Sequence, residues 1–216
     1  MALTRKQAEI RATILDQLYA KRPISRIDIA KETHITPATT GTIINELIKD
    51  GLVQELGELN AESVGRKKTL LDIAPQQRFY LGFEISEKYL ALVIADNVGE
   101  IFASEWHPHH LENQEGPSDL ELIQLISHFL EKHKDIHISA IGIGLPGHVK
   151  LEETQEIISN NPLWKNINLK FIQDSFDVPV YLGNKSHCLT LAERLFTYHP
   201  TDSNFIVYHV ARGIHC

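Results

Sequence analysis

Thr36-Pro37-Ala38-Thr39-Thr40-Gly41-Thr42-Ile43-Ile44-Asn45-Glu46-Leu47-Ile48-Lys49-Asp50-Gly51 is the stretch on which the reading of this chain turns. A hydroxyl residue followed at once by proline is a helix start. The hydroxyl caps free N–H groups, and proline sits where no N–H partner exists anyway. Thr40, Ile43, Ile44, Leu47 and Ile48 recur at three- and four-residue steps, which predicts one buried face. Asp50-Gly51 ends the helix, because glycine takes the left-handed C-cap conformation without a Cβ penalty. Working upstream, Ile10, Ile14, Leu15 and Leu18 mark a helix over residues 5–19 that Pro23 stops. Ser25 caps a short second helix carrying Ile27, Ile29 and Ala30 to about Thr33, and His34-Ile35 form the turn before Thr36. Downstream, residues 52–56 are an apolar–polar run of strand type, 57–65 a polar loop and 69–73 a second strand. Two short strands directly behind a helix-turn-helix make a wing. Residues 1–75 are thus an α+β winged helix-turn-helix domain.

Such a unit suits duplex DNA. Its third helix would present its first turns to the major groove, with Thr36, Pro37, Thr39, Gly41, Thr42 and Asn45 outward. Threonine methyls suit thymine methyls, and Asn can bond adenine on two atoms. No Arg or Lys lies in the first two turns, so the commonest guanine-reading contact is missing there and an A·T-rich site is expected. The wing loop closes on Gly65-Arg66-Lys67-Lys68. Arg66 would enter a narrow minor groove, where A-tracts concentrate negative potential, and Lys67 and Lys68 would hold phosphates. A three-helix unit can instead mediate protein contacts, and a basic triplet is commonly solvated surface. Order and spacing together carry the DNA reading.

At 216 residues, 43% hydrophobic and 23% charged, the chain has room for two domains with real cores. No run approaches the roughly 18 apolar residues that span a bilayer, and no signal peptide opens it. Neither Cys188 nor Cys216 lies in a CxxC spacing, so no disulfide framework and a cytoplasmic setting are expected. Residues 1–75 carry 11 Lys and Arg against 10 Asp and Glu, a net of +1; the rest carries 10 against 18, a net of −8. That asymmetry predicts two domains with different partners.

Residues 76–216 form the second. Strands are expected over 79–85, 89–95 and 100–106, with Asp96-Asn97-Val98-Gly99 a turn and 107–117 a loop. A helix follows over 119–133 and a buried strand over 138–145. Further on come a helix over 169–176, a strand over 178–182, a helix over 186–196 and a strand over 205–210. Antiparallel strands, then alternating helix and strand, indicate an α/β domain on a mixed sheet.

Several segments carry a resemblance. Ile141-Gly142-Ile143-Gly144-Leu145-Pro146-Gly147-His148-Val149 resembles the GIGxPGxV segment of the ROK family, and Asn161-Pro162-Leu163-Trp164 its NLxW stretch. Residues 179–186 lie where members have PVxxxNDA, Ala192-Glu193 follow at the expected distance, and the wing end at 65–71 resembles the GRP…LL of the repressor branch. That family comprises sugar-responsive repressors, open reading frames of unknown role and sugar kinases on an actin-like (ribonuclease-H-like) fold. The resemblance implies an actin-like first lobe over 76–216, truncated, with the second lobe largely absent. It also implies effector contacts from Gly147, Asn161, Asn184 and Lys185, although Asn in loops commonly just caps turns.

The departures bear on chemistry. Kinase members cradle ATP phosphates with a DxGxT loop; here the run is Glu84-Ile85-Ser86-Glu87-Lys88, with both glycine positions filled and a carboxylate added. Lys185 stands where the family's general base, the Asp of NDA, would deprotonate the sugar hydroxyl, and a protonated lysine cannot do so. No enzyme activity and no cofactor are expected. Lysine at that position would favour a phosphorylated sugar over a plain one. His107, His109 and His110 cluster in one loop, as metal ligands can, but with Pro108 among them they read as an exposed loop. The family's structural zinc cluster would lie beyond this chain, so no metal is expected. The leading expectation is a homodimeric repressor of carbohydrate-utilisation genes on an A·T-rich inverted repeat, controlled by a sugar or sugar-phosphate effector. The alternatives are a residual sugar kinase and a truncated module that dimerises with full-length relatives.

Overall fold

The computed structural model describes residues 4–58, 68–86, 88–108, 117–145, 148–149, 157–158, 167–197, 206–207, 209–210 and 214–215. The chain divides into two compact units, residues 1–77 with 192–205, and 78–191 with 206–216.

In the first unit, α1 (Arg5–Lys21) opens with a capping box: Thr4 Oγ1 accepts from Gln7 N, and Gln7 Oε1 accepts from Thr4 N at 2.9 Å. β1 (Ile24–Ser25) leads into α2 (Arg26–Thr33), whose N-cap is Ser25 and whose C-cap is His34 at φ 55°. α3 (Pro37–Lys49) is capped by Thr36 with proline at its start. Its end is a Schellman motif: Gly51, at φ +74°, donates to Ile48 O at 3.0 Å, and Leu52 to Leu47 O at 2.9 Å. Ile14, Leu18, Ile29, Ile44, Leu47 and Leu71 form the buried centre. Arg11 ties α1 to α3 through Asp50 at 2.6 Å, and Lys21 pairs with Glu32.

β2 (Val53–Glu58) and β3 (Thr69–Ile73) pair antiparallel as the wing, with a bulge between Glu55 and Gly57. The wing sheet has a third member that periodicity could not announce. β1 pairs with β3, Ile24 opposite Leu71 and Ser25 opposite Leu70, giving the order β1-β3-β2. Two residues carry no alternation to read, and this strand exists only because β3 offers it an edge.

The second unit is built on β4 (Phe79–Ile85), β5 (Tyr89–Asp96), β6 (Ile101–Pro108), β7 (Ile138–Leu145) and β10 (Val180–Asn184). Between β7 and β10 lie β8 (His148–Val149) and β9 (Ile157–Ile158), an antiparallel pair. After them come β11 (His209–Val210) and β12 (Ile214–His215), paired likewise. The main sheet runs β10-β7-β4-β5-β6, with β10, β7 and β4 parallel and β5 and β6 antiparallel, so the expected mixed sheet is observed. One face packs Leu81, Phe83, Ile85, Leu92, Ile94, Ile141, Ile143 and Leu145 with Leu122, Ile126 and Phe129 of α4 (Asp119–Lys132) and Leu169 and Ile172 of α5 (Leu169–Asp174). Buried Asp96 is satisfied inside its turn, its Oδ1 accepting from Val98 N and Glu100 N, both at 2.9 Å.

Several boundaries differ from expectation: α1 runs on to Lys21, β2 continues through Gly57 and Glu58, and residues 206–207 of the expected strand 205–210 are not strand. β6 continues through His107 and Pro108, which were read as loop, because Leu90 and Tyr89 still offer them partners. α5 stops at Asp174 rather than 176: Ser175 N turns back to Ile172 O and its hydroxyl to Phe171 O. β10 runs to Asn184, further than 182, paired with β7 throughout.

Candidate nucleic-acid interface and effector site

The outward face of α3 is set by its period. Thr40, Ile43, Ile44 and Leu47 are buried, and Thr36, Pro37, Ala38, Thr42, Asn45 and Lys49 are exposed. Ala38 and Lys49 were missed, although helical spacing from Thr42 and Asn45 puts them on the same stripe. Thr39 and Gly41 are half-buried. The Thr39 hydroxyl is engaged with Thr36 Oγ1 at 2.9 Å, part of the N-cap. The Thr42 hydroxyl donates to Ala38 O at 3.1 Å, which spends its proton on its own helix and leaves its methyl for a partner. Among the described residues, nothing lies within 4 Å of where a Gly41 Cβ would stand, so no packing among them requires glycine there.

Asn45 is not free. Arg26, the first residue of α2, donates from Nη2 to Asn45 Oδ1 at 3.2 Å, and its Nη1 lies 2.8 Å from Glu55 Oε1 on β2. Nothing in the local sequence around Arg26 signals this bridge, because its partners come from two other elements. Lys68, expected to hold phosphate, pairs with Asp28 on α2, Nζ to Oδ1 and Oδ2 at 3.0 and 3.1 Å. Asp28 Oδ2 also accepts from the Ser25 hydroxyl at 2.5 Å. That hydrogen bond, and then Lys68, hold its carboxyl below the usual value against the upward push of burial. Arg66 and Lys67 lie outside the described residues.

In the second unit, Glu84 is the penultimate residue of β4, and Lys185 begins α6 (Lys185–Phe196) directly after β10; β4 and β10 flank β7. Lys185 Nζ lies 2.9 Å from Glu84 Oε1, and Tyr89 donates its hydroxyl to the same oxygen at 2.9 Å. Gly144 of β7 pairs with Glu84 on one side and Gly183 on the other, and a Cβ there would lie 4.0 Å from Lys185 Cα. Burial, then the bond to Glu84, push the Tyr89 hydroxyl above its ordinary pKa. Asn184 caps α6, its Oδ1 accepting from His187 N at 3.1 Å. Of the four expected effector contacts, Asn184 and Lys185 are thus engaged within the chain, while Gly147 and Asn161 lie outside the described residues. His107 pairs with Glu105 at 3.3 Å, and His109 and His110 lie outside the described residues.

A capped recognition-type helix with a wing, joined in one chain to a mixed-sheet lobe, defines a class: a winged helix-turn-helix unit with an actin-like region. The chain belongs to the ROK family, whose model matches residues 80–215, and a winged helix-turn-helix DNA-binding model matches residues 8–54. It is similar to the xylose repressor of Bacillus spizizenii, 28% identical over 203 residues, which are 93% of this chain and 52% of that protein. It is also similar to the DNA-binding transcriptional repressor Mlc of Escherichia coli, at 28% identity over 85% of this chain and 45% of that one. The crystal structure of a ROK family transcriptional regulator, a homolog of the Escherichia coli MLC protein, matches with a TM-score of 0.58 and 26% identity. That match covers 87% of this chain and 49% of the other. The chain spans about half the length of the curated relatives it matches. Among the described residues, no helix is long and apolar enough to cross a membrane.

Proposed function

We propose that this chain is a DNA-binding transcriptional repressor of carbohydrate-utilisation genes, acting as a homodimer under control of a sugar effector. The observation that carries this reading is the exposed stripe Ala38, Thr42, Asn45 and Lys49 on a helix capped at both ends and set beside a wing. Residues 1–75 read the operator and 76–216 dimerise and sense. Arg66 and Lys67 contribute the minor-groove and phosphate contacts of the wing. Lys68 shares its charge with Asp28 and counts for less. The operator is an A·T-rich inverted repeat. Effector binding favours a dimer geometry in which the two recognition helices no longer match the half-site spacing. The relatives named for xylose support a sugar as effector.

Phosphoryl transfer is not part of the proposal. Lys185 cannot serve as a base toward a sugar hydroxyl, and its ion pair with Glu84 occupies the ends of the strands from which that chemistry would be run. Because Glu84 already matches the Lys185 charge, the pair favours an uncharged sugar over a sugar phosphate.

The test is a selection of bound fragments from the source genome, with the winning fragment titrated at two salt concentrations. Recovery of an A·T-rich inverted repeat, bound more weakly at higher salt and by Arg66→Ala, is the expected result. Weak binding without sequence preference would overturn the repressor reading.

A further inference from the structure

The bridge from Arg26 to Asn45 has a consequence for which base is read. Arginine has donors and no acceptor, so the Asn45 atom facing it must be the carbonyl oxygen. The Asn45 amide orientation is therefore set by chemistry: Oδ1 faces the Arg26 guanidinium, and the –NH2 group of this exposed side chain is the part left for a partner. Bidentate recognition of adenine needs the oxygen and the nitrogen of the amide on the same outward edge, accepting from N6 and donating to N7. Turned as it is, Asn45 leads with two N–H donors. Guanine offers two adjacent acceptors, O6 and N7, whereas adenine N7 and thymine O4 each offer one. Glu55 anchors the guanidinium from its other side at 2.8 Å, so the orientation is held from α2 and from the wing strand together. The Arg26 side chain is 30% exposed, close enough to the surface to act at the interface and sheltered enough to hold one geometry.

We propose that Arg26 is a specificity-determining residue of the DNA interface, which turns the Asn45 amide so that it selects guanine rather than adenine at one position of each half-site. The proposal rests on α3 being the recognition helix. It makes Arg26 a positioning residue: the base is touched by Asn45, and Arg26 decides which face of the amide it meets.

The experiment is selection from random duplexes with the full chain as wild type, Asn45→Ala, Arg26→Ala and Arg26→Lys, each first checked for an unchanged melting profile. Asn45→Ala identifies the position that Asn45 reads, as the one whose preference vanishes. Wild type is expected to prefer guanine there. Arg26→Ala, whose amide is free to flip, is expected to move the guanine-to-adenine affinity ratio toward adenine by roughly tenfold. Arg26→Lys still donates to Oδ1 and should retain part of the guanine preference. Adenine preferred by wild type at that position would overturn the proposal. So would an Arg26→Ala chain that binds every sequence more weakly by the same factor, with a salt slope reduced by about one, which is the signature of a phosphate contact. Absence of any selected site in wild type would instead remove the recognition-helix reading, and the proposal with it.

Discussion

At the scale of single residues, the first unit is organised by side chains that reach from α2 to the wing. Ser25 caps α2 and donates to Asp28, and Asp28 in turn holds Lys68 at the start of β3. The Asp28 carboxyl is depressed by the Ser25 hydroxyl first and Lys68 next. A carboxyl whose folded pKa lies below its unfolded value contributes stability above the unfolded value, and loses it as pH falls through the folded one. Asp28→Asn should therefore be less stable than wild type near pH 6, with the gap closing as pH drops below about 4, the unfolded value for aspartate. Urea melts across that range would show it, and a gap indifferent to pH would refute it. Arg26 belongs to the same set: its two partners, Asn45 and Glu55, lie on α3 and β2.

At the scale of elements, two glycines, one inside α3 and one just past its C-cap, follow opposite logic. Gly51 sits at φ +74°, where an L residue is strained, and an added Cβ would stand 3.1 Å from Gln77 Oε1. Gly41 lies in the helix interior with open space around it. Glycine there costs up to ~1 kcal/mol against alanine, and no packing among the described residues recovers it. On the proposed reading, the close approach it permits serves the DNA backbone. Gly51→Ala is expected to destabilise the fold by about 1–2 kcal/mol. Gly41→Ala should stabilise it by up to ~1 kcal/mol while weakening operator binding. Denaturant melts alongside titrations separate the two. A Gly41→Ala chain with undiminished DNA affinity would show that the groove does not come that close.

At the scale of the whole molecule, charge and architecture divide the labour. Residues 1–75 are near neutral at +1 and the rest carry −8, so on the proposed reading attraction to DNA falls to a few placed cations rather than to a broad basic field. A reader of modest charge gains most from engaging two half-sites at once. The proposed homodimer then makes binding depend on half-site spacing: an insertion of about 5 base pairs, half a helical turn, should abolish tight binding, and about 10 should largely restore it. Gel-shift titrations with the spaced duplexes check this, and indifference to the insertion would mean that the chain binds as independent monomers.

The local signals were sufficient for the longer elements. The Thr36-Pro37 start, the Asp50-Gly51 stop, the 3.6-residue burial of Thr40 to Leu47 and the strands at 79–85 and 138–145 all stand where the sequence placed them. Each depends on backbone preferences and periodicities that operate within a few residues. What only the tertiary structure decided is which polar groups remain available. Asn45 was expected to read adenine and is held by Arg26; Lys68 was expected on phosphate and is shared with Asp28; Asn184 caps α6, and Lys185 is matched by Glu84. β1 likewise became a strand only against β3. The physical reason is common to all of these. A hydrogen-bond or ion-pair partner is chosen by distance and direction, and those are set by how elements pack once they have formed, not by their neighbours in the chain.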